Sequence, residues 1–124
     1  MKKLTKAEEE LMQIIWQLKE CTVGDIRTYM ADELGMTKPP HSTVSTMVRI
    51  LDEKGFVEHR AYGRTFVYTP KVTRDDYSKQ SLRRLVSDYF GGSTRKLVSF
   101  LVAENDLSLQ ELSQLLDQLG DEEE

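Results

Sequence analysis

A chain of 124 residues has the size of one domain, or of a small domain with an added oligomerisation segment. Its single cysteine excludes an intramolecular disulfide and a cysteine-rich metal site, and no apolar run reaches the roughly 18 residues that a membrane span needs. The N-terminal residues MKKLTKAEEE lack the apolar centre of a signal peptide. We therefore expect a cytoplasmic protein, and the sequence indicates neither a metal site nor a cofactor.

The net charge of −4 is unevenly distributed along the chain. Residues 38–74 contain seven basic and three acidic residues, whereas residues 101–124 contain eight acidic residues and no basic one. The final segment DEEE, residues 121–124, is expected to be a solvated acidic tail. The middle of the chain therefore carries the positive charge that contact with nucleic acid requires, although the chain as a whole is acidic.

Two amphipathic helices are predicted in the first 37 residues. A capping box begins the first helix at Thr5, and apolar residues spaced three and four apart continue to about Lys19. Thr22 is placed to cap a second helix, and Gly35 is placed to end it. The apolar stripe predicted for this second helix is Ile26, Met30 and Leu34.

A third helix and a β-hairpin are predicted in residues 39–69, which read PPHSTVSTMVRILDEKGFVEHRAYGRTFVYT. The Pro39-Pro40 pair prevents an earlier helix start, and Gly55 ends the helix. Two short strands, residues 57–60 and 65–68, are predicted around a turn at residues 61–64. This order of elements is that of a winged helix-turn-helix. The buried stripe predicted for the third helix is Val44, Met47, Val48 and Leu51.

The opposite face of the third helix suits contact with DNA. Small hydroxyl side chains and one arginine, at positions 42, 45, 46 and 49, can approach base edges closely and form hydrogen bonds with them. Arg64, at the tip of the hairpin, is placed to contact the phosphate backbone. The predicted DNA-binding residues are Lys38, His41, Ser42, Thr43, Ser45, Thr46, Arg49, Arg60 and Arg64.

Three further helices are predicted after residue 72. Their apolar faces are too wide for such short helices to bury within their own segment, so we expect a symmetric dimer. The predicted organisation is a mainly α protein with a winged-helix domain at 1–72, a helical dimerisation domain at 73–120 and the acidic tail. The predicted dimerisation residues are Tyr77, Leu82, Leu85, Val86, Tyr89, Phe90, Leu97, Leu101, Leu112, Leu115 and Leu116.

Four ordered segments are similar to one family of regulators. LTKAEEELMQIIW, STVSTMVRILDEKGFV, GRTFVYTP and GGSTRKLVSFLVAENDLSLQEL resemble the BlaI/MecI penicillinase-repressor family over nearly the whole chain. The resemblance implies a homodimeric winged-helix repressor that binds a near-palindromic double-stranded DNA operator. It also implies release through cleavage triggered by a membrane-bound metalloprotease sensor. The similar copper-responsive branch ends in a cysteine-rich tail, whereas this chain has only Cys21.

The bond cut in such relatives joins an asparagine to a phenylalanine in the fifth helix. Alignment from Gly91-Gly92 places Val102-Ala103 at that position, and a shifted alignment places Ser99-Phe100 there. These two bonds are the candidate cleavage sites.

No catalytic motif is present in the sequence. It contains no glycine-rich phosphate loop, no HExxH, and too few histidines and cysteines for a nucleophilic triad, so we do not expect an enzyme. Two other functions remain open at this point. One is a winged-helix regulator that senses a small molecule, and the other is a winged-helix protein-interaction module without DNA binding. Affinity for DNA that does not depend on salt would favour the second.

Overall fold

The computed structural model describes residues 1–105 and, beyond them, residues 108, 110, 111, 113, 114 and 117. The chain forms three helices, then an antiparallel hairpin, and then more helix. This is the order of elements in a winged helix, and it confirms the predicted mainly α fold. The acidic tail, Leu112, Leu115 and Leu116 lie outside the described residues. The elements are α1 (Lys6–Leu18), α2 (Val23–Asp32), α3 (His41–Glu53), β1 (Val57–Tyr62), β2 (Thr65–Pro70), α4 (Arg74–Tyr89) and α5 (Thr94–Asn105).

Capping boxes begin α1 and α2, where a capping box at Thr5 and a cap at Thr22 were predicted. The Thr5 hydroxyl accepts from the backbone N–H of Glu8 at 3.2 Å, and the Glu8 carboxylate accepts from the N–H of Thr5 at 2.8 Å. Thr22 and Asp25 form the same reciprocal pair at the start of α2. The end of α2 differs from the prediction, because the helix stops at Asp32 and Leu34 is 51% exposed instead of continuing the apolar stripe.

A single apolar core lies among α1, α2, α3 and the base of the hairpin. Each helix contributes residues spaced three or four apart, so one side of each helix faces the others. The predicted stripe of α3 is confirmed at three positions, and the fourth, Met47, is partly buried against the core. The largest fully buried side chains are Leu11, Met12, Ile15, Ile26, Val44, Val48, Leu51, Phe56 and Val57.

The hairpin is longer than predicted and its turn is tighter. The strands extend to Tyr62 and from Thr65, which pair directly, so Gly63 and Arg64 alone form the turn. Gly63 has φ 61°, and glycine at the first central position is typical of the two-residue hairpin turns that match the twist of the strands. At the base, the N–H of Tyr68 donates to the carbonyl of Cys21 at 2.7 Å, which joins the hairpin to the start of α2.

The first of two compact units extends through Tyr77, beyond the predicted boundary at residue 72. Tyr77 is buried, with its ring centroid 5.9 Å from that of Trp16 and 5.7 Å from that of Phe56. Its hydroxyl donates to the Glu9 carboxylate at 2.7 Å. Tyr77 therefore packs into the core of the first unit and is not part of an exposed face, in contrast to the dimerisation role expected from the sequence.

The second unit begins at Ser78 and contains the rest of α4 and α5. Gly91 and Gly92 end α4, with φ 58° and 77°, and the Ser93 hydroxyl caps α5 by accepting from the N–H of Lys96 at 3.2 Å. The rings of Phe90 and Phe100 are 5.7 Å apart. In the part of the chain that the structure describes, no helix is both long and apolar enough to cross a membrane.

Candidate nucleic-acid interface

Helix α3 presents one continuous polar face to solvent. Val44, Val48 and Leu51 hold the other side of the helix in the core, which fixes its rotation about its own axis. The residues that then point outward are spaced four, three and four apart, and all are exposed: Ser42, Thr46, Arg49 and Glu53. The outward direction of Ser42, Thr46 and Arg49 was predicted from the sequence.

The hydroxyl residues of this face differ in what they can offer. The Thr46 hydroxyl donates to the carbonyl of Ser42 at 2.8 Å, so it can only accept a further hydrogen bond. Ser45, expected to face outward, is half-buried at the flank of the helix. Ser42 remains exposed, as do His41 and Thr43 beside it in the first turn. A ligand would therefore reach the N-terminal half of α3 most easily.

Arg49 is the one cation on the outward face of α3. Its side chain is exposed, and it has no hydrogen-bond or ion-pair partner among the described residues. A guanidinium group can donate two parallel hydrogen bonds to the O6 and N7 atoms of guanine, or to a phosphate. The position and freedom of Arg49 suit such a contact.

The two hairpin arginines, Arg60 and Arg64, are in different states. Arg64 lies exposed in the two-residue turn, without a described partner. Arg60 donates to the Glu20 carboxylate at 3.2 Å, and its guanidinium lies 5.7 Å from the centre of the Tyr62 ring. Arg64 is therefore the better candidate for a phosphate contact, and Arg60 is partly neutralised within the protein.

A contact between α3 and β1 joins the helix to the hairpin. The Asp52 carboxylate is 2.5 Å from Nδ1 of His59, whose ring lies 4.8 Å from that of Phe66. Phe66 itself is 51% exposed. Burial, together with the nearby Asp52 charge, raises the pKa of Tyr68. This cluster restrains the angle between helix and hairpin.

The C-terminal end of α3 is fixed by an ion pair with α1. Lys54 Nζ donates to both oxygens of Glu8, at 2.7 and 3.1 Å. The hydrogen bond from Lys54 lowers the pKa of the buried Glu8 carboxyl, although burial opposes this effect. One carboxylate therefore both caps α1 and holds the residue that ends α3.

The N-terminal end of α3 is approached by Arg27 of α2, which is not among the DNA-binding residues predicted from the sequence. Its Nε donates to the carbonyl of Pro39 at 2.8 Å, directly before the helix. Lys38, an expected DNA-binding residue, is exposed in the same segment. The available sequence signal was that Arg27 is the only basic residue of α2, whose sequence is VGDIRTYMAD.

The described residues contain no cluster of three or more histidine, cysteine or acidic side chains arranged to hold a metal ion. Cys21 is buried, and its desolvation raises the pKa of the thiol to about 12. The thiol of Cys21 therefore stays protonated at neutral pH and is a poor nucleophile.

One family model covers nearly the whole chain. The sequence model of a family described as penicillinase repressor matches residues 4–121. The chain belongs to the penicillinase repressor family. Membership identifies it as a DNA-binding transcriptional repressor and not an enzyme, and it confirms the resemblance seen in the sequence.

Individual relatives within the penicillinase repressor family match over most of their length. The penicillinase repressor of Bacillus licheniformis is 28% identical over 113 residues, which cover 90% of this chain and 85% of the relative. The methicillin resistance regulatory protein MecI of Staphylococcus aureus is 27% identical, with 90% and 89% covered.

Solved structures of the repressor BlaI were also found. The DNA-binding domain of BlaI is 31% identical, with a TM-score of 0.49 over 62% of this chain and 94% of that one. The monomeric form of Bacillus licheniformis BlaI, in complex with the blaP half-operator, is 29% identical, with the same TM-score over 61% and 89%.

Proposed function

We propose that the protein represses transcription as a homodimer bound to a near-palindromic operator, with one winged-helix unit on each half-site. The observation that supports this proposal most directly is the outward face of α3. It combines Ser42, Thr46 and the unpartnered Arg49 on a helix whose rotation is fixed by the core. A helix of this kind enters the major groove in helix-turn-helix proteins, with its N-terminal residues nearest to the bases.

The proposal assigns the dimer contact to the second unit. Leu85 is 40% exposed, Tyr89 78% and Phe100 49%. Leu82, Val86, Phe90 and Leu101 are half-buried, and Leu97 is buried. Large exposed apolar side chains at helical spacing favour association with a second copy, because association removes their surface from water.

Dimerisation would set the operator affinity through effective concentration. Once one unit has bound a half-site, the second binding event becomes intramolecular, which raises affinity by about 10²–10⁴-fold. Two-fold symmetry would also place the half-sites about 10 base pairs apart, or at a multiple of that spacing.

The dimer can be tested by introducing a charge into the exposed apolar face. Tyr89→Arg should give a monomer and should weaken binding to a two-site operator by about 10²-fold or more, while affinity for one half-site stays unchanged. Ser87→Arg is the matched control, because it adds the same charge to an exposed position on the other side of α4. The operator is first selected from random duplexes, and mass is measured by light scattering. A Tyr89→Arg dimer with full operator affinity would contradict the proposal.

Release is proposed to follow cleavage within α5 by a membrane metalloprotease sensor. Both candidate bonds, Ser99-Phe100 and Val102-Ala103, lie inside this helix. Their cleavage would therefore need local unwinding, and it would divide the segment that the dimer uses while leaving every DNA contact intact. Mass spectrometry of the repressor from induced cells should find fragments that end at one of these bonds. Operator release by an intact chain would rule out this route.

A further inference from the structure

We infer that Arg27 couples the position of the recognition helix to the DNA backbone: its Nε holds the segment before α3, and its terminal nitrogens bind a phosphate. The inference rests on the proposed function, because it concerns the same DNA-binding surface. It adds a contact from α2 to the contacts proposed for α3 and the hairpin.

The first observation is that the segment leading into α3 has few internal ties. Met36 N–H donates to the Met30 carbonyl at 3.1 Å. Pro39 and Pro40 have no N–H to donate. Between residues 37 and 39, the bond from Arg27 to Pro39 is the only hydrogen bond to the rest of the described chain. The bond from Arg27 therefore ties the segment before α3 to α2, whereas Val44 holds the first turn of the helix in the core.

The second observation is that α3 has no side-chain cap of its own. Pro40 occupies the cap position, where its carbonyl accepts from the N–H groups of Thr43 and Val44 at 3.2 and 3.4 Å. By contrast, α1 and α2 both begin with reciprocal capping boxes. The start of α3 therefore has no restraint from a capping side chain, and the bond from Arg27 restrains the segment directly before it.

The third observation is that the charge of Arg27 is not neutralised within the protein. Its terminal nitrogens have no hydrogen-bond or ion-pair partner in the described part of the chain. The side chain is half-buried, and its Nε is 2.8 Å from the carbonyl oxygen of Pro39, two residues before the start of α3. In helix-turn-helix complexes, the helix preceding the recognition helix crosses the DNA backbone. At this position the terminal nitrogens of Arg27 can donate hydrogen bonds to a phosphate of the DNA backbone.

Two substitutions separate the two roles of Arg27. Glutamine places an amide nitrogen the same number of bonds from Cα as arginine Nε, so Arg27→Gln can keep the bond to Pro39 but loses the charge. Lysine keeps a positive charge but has no donor at that atom, so Arg27→Lys loses the tie to Pro39. Arg27→Met removes both and retains an apolar stem. Lys6→Gln, at an exposed position on α1, is the matched control for loss of one charge.

The test measures the affinity of the full chain for its selected operator and for random duplex across a range of salt concentrations. Arg27→Gln should weaken both by about tenfold and reduce the log–log salt slope by about 0.9, with base preference unchanged. Arg27→Lys should keep the wild-type slope but lower the ratio of specific to random affinity. Circular dichroism and the thermal midpoint show that each variant is folded.

Each outcome decides one part of the inference. A wild-type slope in Arg27→Gln overturns the phosphate contact, and a wild-type specificity ratio in Arg27→Lys overturns the positioning role. A purely structural role would lower the thermal midpoint without changing either quantity. If the wild-type chain binds no DNA, the proposed function itself fails. If the wild-type chain binds DNA, and binding is lost in Arg49→Ala but unchanged in all Arg27 variants, only the inference about Arg27 is refuted.

Discussion

The contribution of a basic residue at this surface depends on whether the protein already neutralises it. Arg60 is held by Glu20 and lies over the Tyr62 ring, so contact with DNA would first require it to give up these partners. Arg49 and Arg64 have no such partner among the described residues. Arg49 and Arg64 can therefore bind DNA without first breaking a hydrogen bond or an ion pair within the protein. A count of positive charges in the sequence treats these arginines alike. The structure shows that only Arg60 of the three has a carboxylate partner among the described residues.

Arg49 is predicted to read or hold DNA from the centre of α3. Arg49→Ala should cost about 1–3 kcal/mol of operator binding and relax base preference at one position, because a bidentate contact is lost. Operator and point-mutated operator are compared at one fixed salt concentration, with Lys6→Ala as the control. Unchanged affinity together with unchanged base preference would exclude Arg49 from the interface.

Glu8 is predicted to stabilise the first unit in a pH-dependent way. Its pKa is lowered in the folded state, mainly by Lys54, so its stabilisation is present above the unfolded pKa of about 4.3 and is lost as pH falls through the folded value. Glu8→Gln should therefore reduce the free energy of unfolding by about 1–3 kcal/mol at pH 7, and by less near pH 3. The exposed Glu10→Gln is the control, and denaturant midpoints supply the measurement. A deficit that stays constant with pH would show that the carboxylate charge is not responsible.

At the scale of elements, local signals in the sequence were sufficient for α1, α2 and α3. Capping boxes at Thr5 and Thr22, and apolar spacing along each helix, are properties of neighbouring residues. The pairs Arg60–Glu20 and Tyr77–Glu9 join residues 40 and 68 positions apart, and nothing in local periodicity predicts them. The extent of the hairpin was underestimated for the same reason, because Ala61 and Tyr62 become strand residues by pairing with Phe66 and Thr65 of the other strand.

The hairpin is predicted to act as a wing that positions the protein without reading sequence. Arg64→Gln should weaken binding to operator and random duplex alike and reduce the log–log salt slope by about 0.9, since one phosphate contact disappears. Arg60→Gln is the comparison within the same hairpin, and its effect should be smaller because Glu20 already neutralises that guanidinium. A loss confined to the operator would make Arg64 a base-reading residue.

At the scale of the molecule, the chain divides into a unit with its own core and a unit in which several of the described apolar residues remain exposed. The first unit has an apolar core among three helices and the hairpin, and Tyr77 of α4 completes that core. In the second unit, Leu85, Tyr89 and Phe100 stay accessible. The first unit ends at Tyr77, whereas the sequence placed a boundary at residue 72, because Tyr77 belongs to the apolar pattern of α4 while it packs against Trp16 and Phe56.

The boundary leads to a prediction about truncated chains. A fragment ending at Ser81 should fold, stay monomeric and bind one half-site as the full chain does, while losing affinity for the two-site operator. A fragment ending at Thr73 lacks the Tyr77 ring and its bond to Glu9, so its free energy of unfolding should be lower by about 3–5 kcal/mol. Tyr77→Ala in the longer fragment should reproduce most of that loss, and Tyr77→Phe only about 1 kcal/mol, because it removes the hydroxyl alone. Urea unfolding and light scattering supply both measurements. Equal stability of the two fragments would show that the first unit ends before Tyr77.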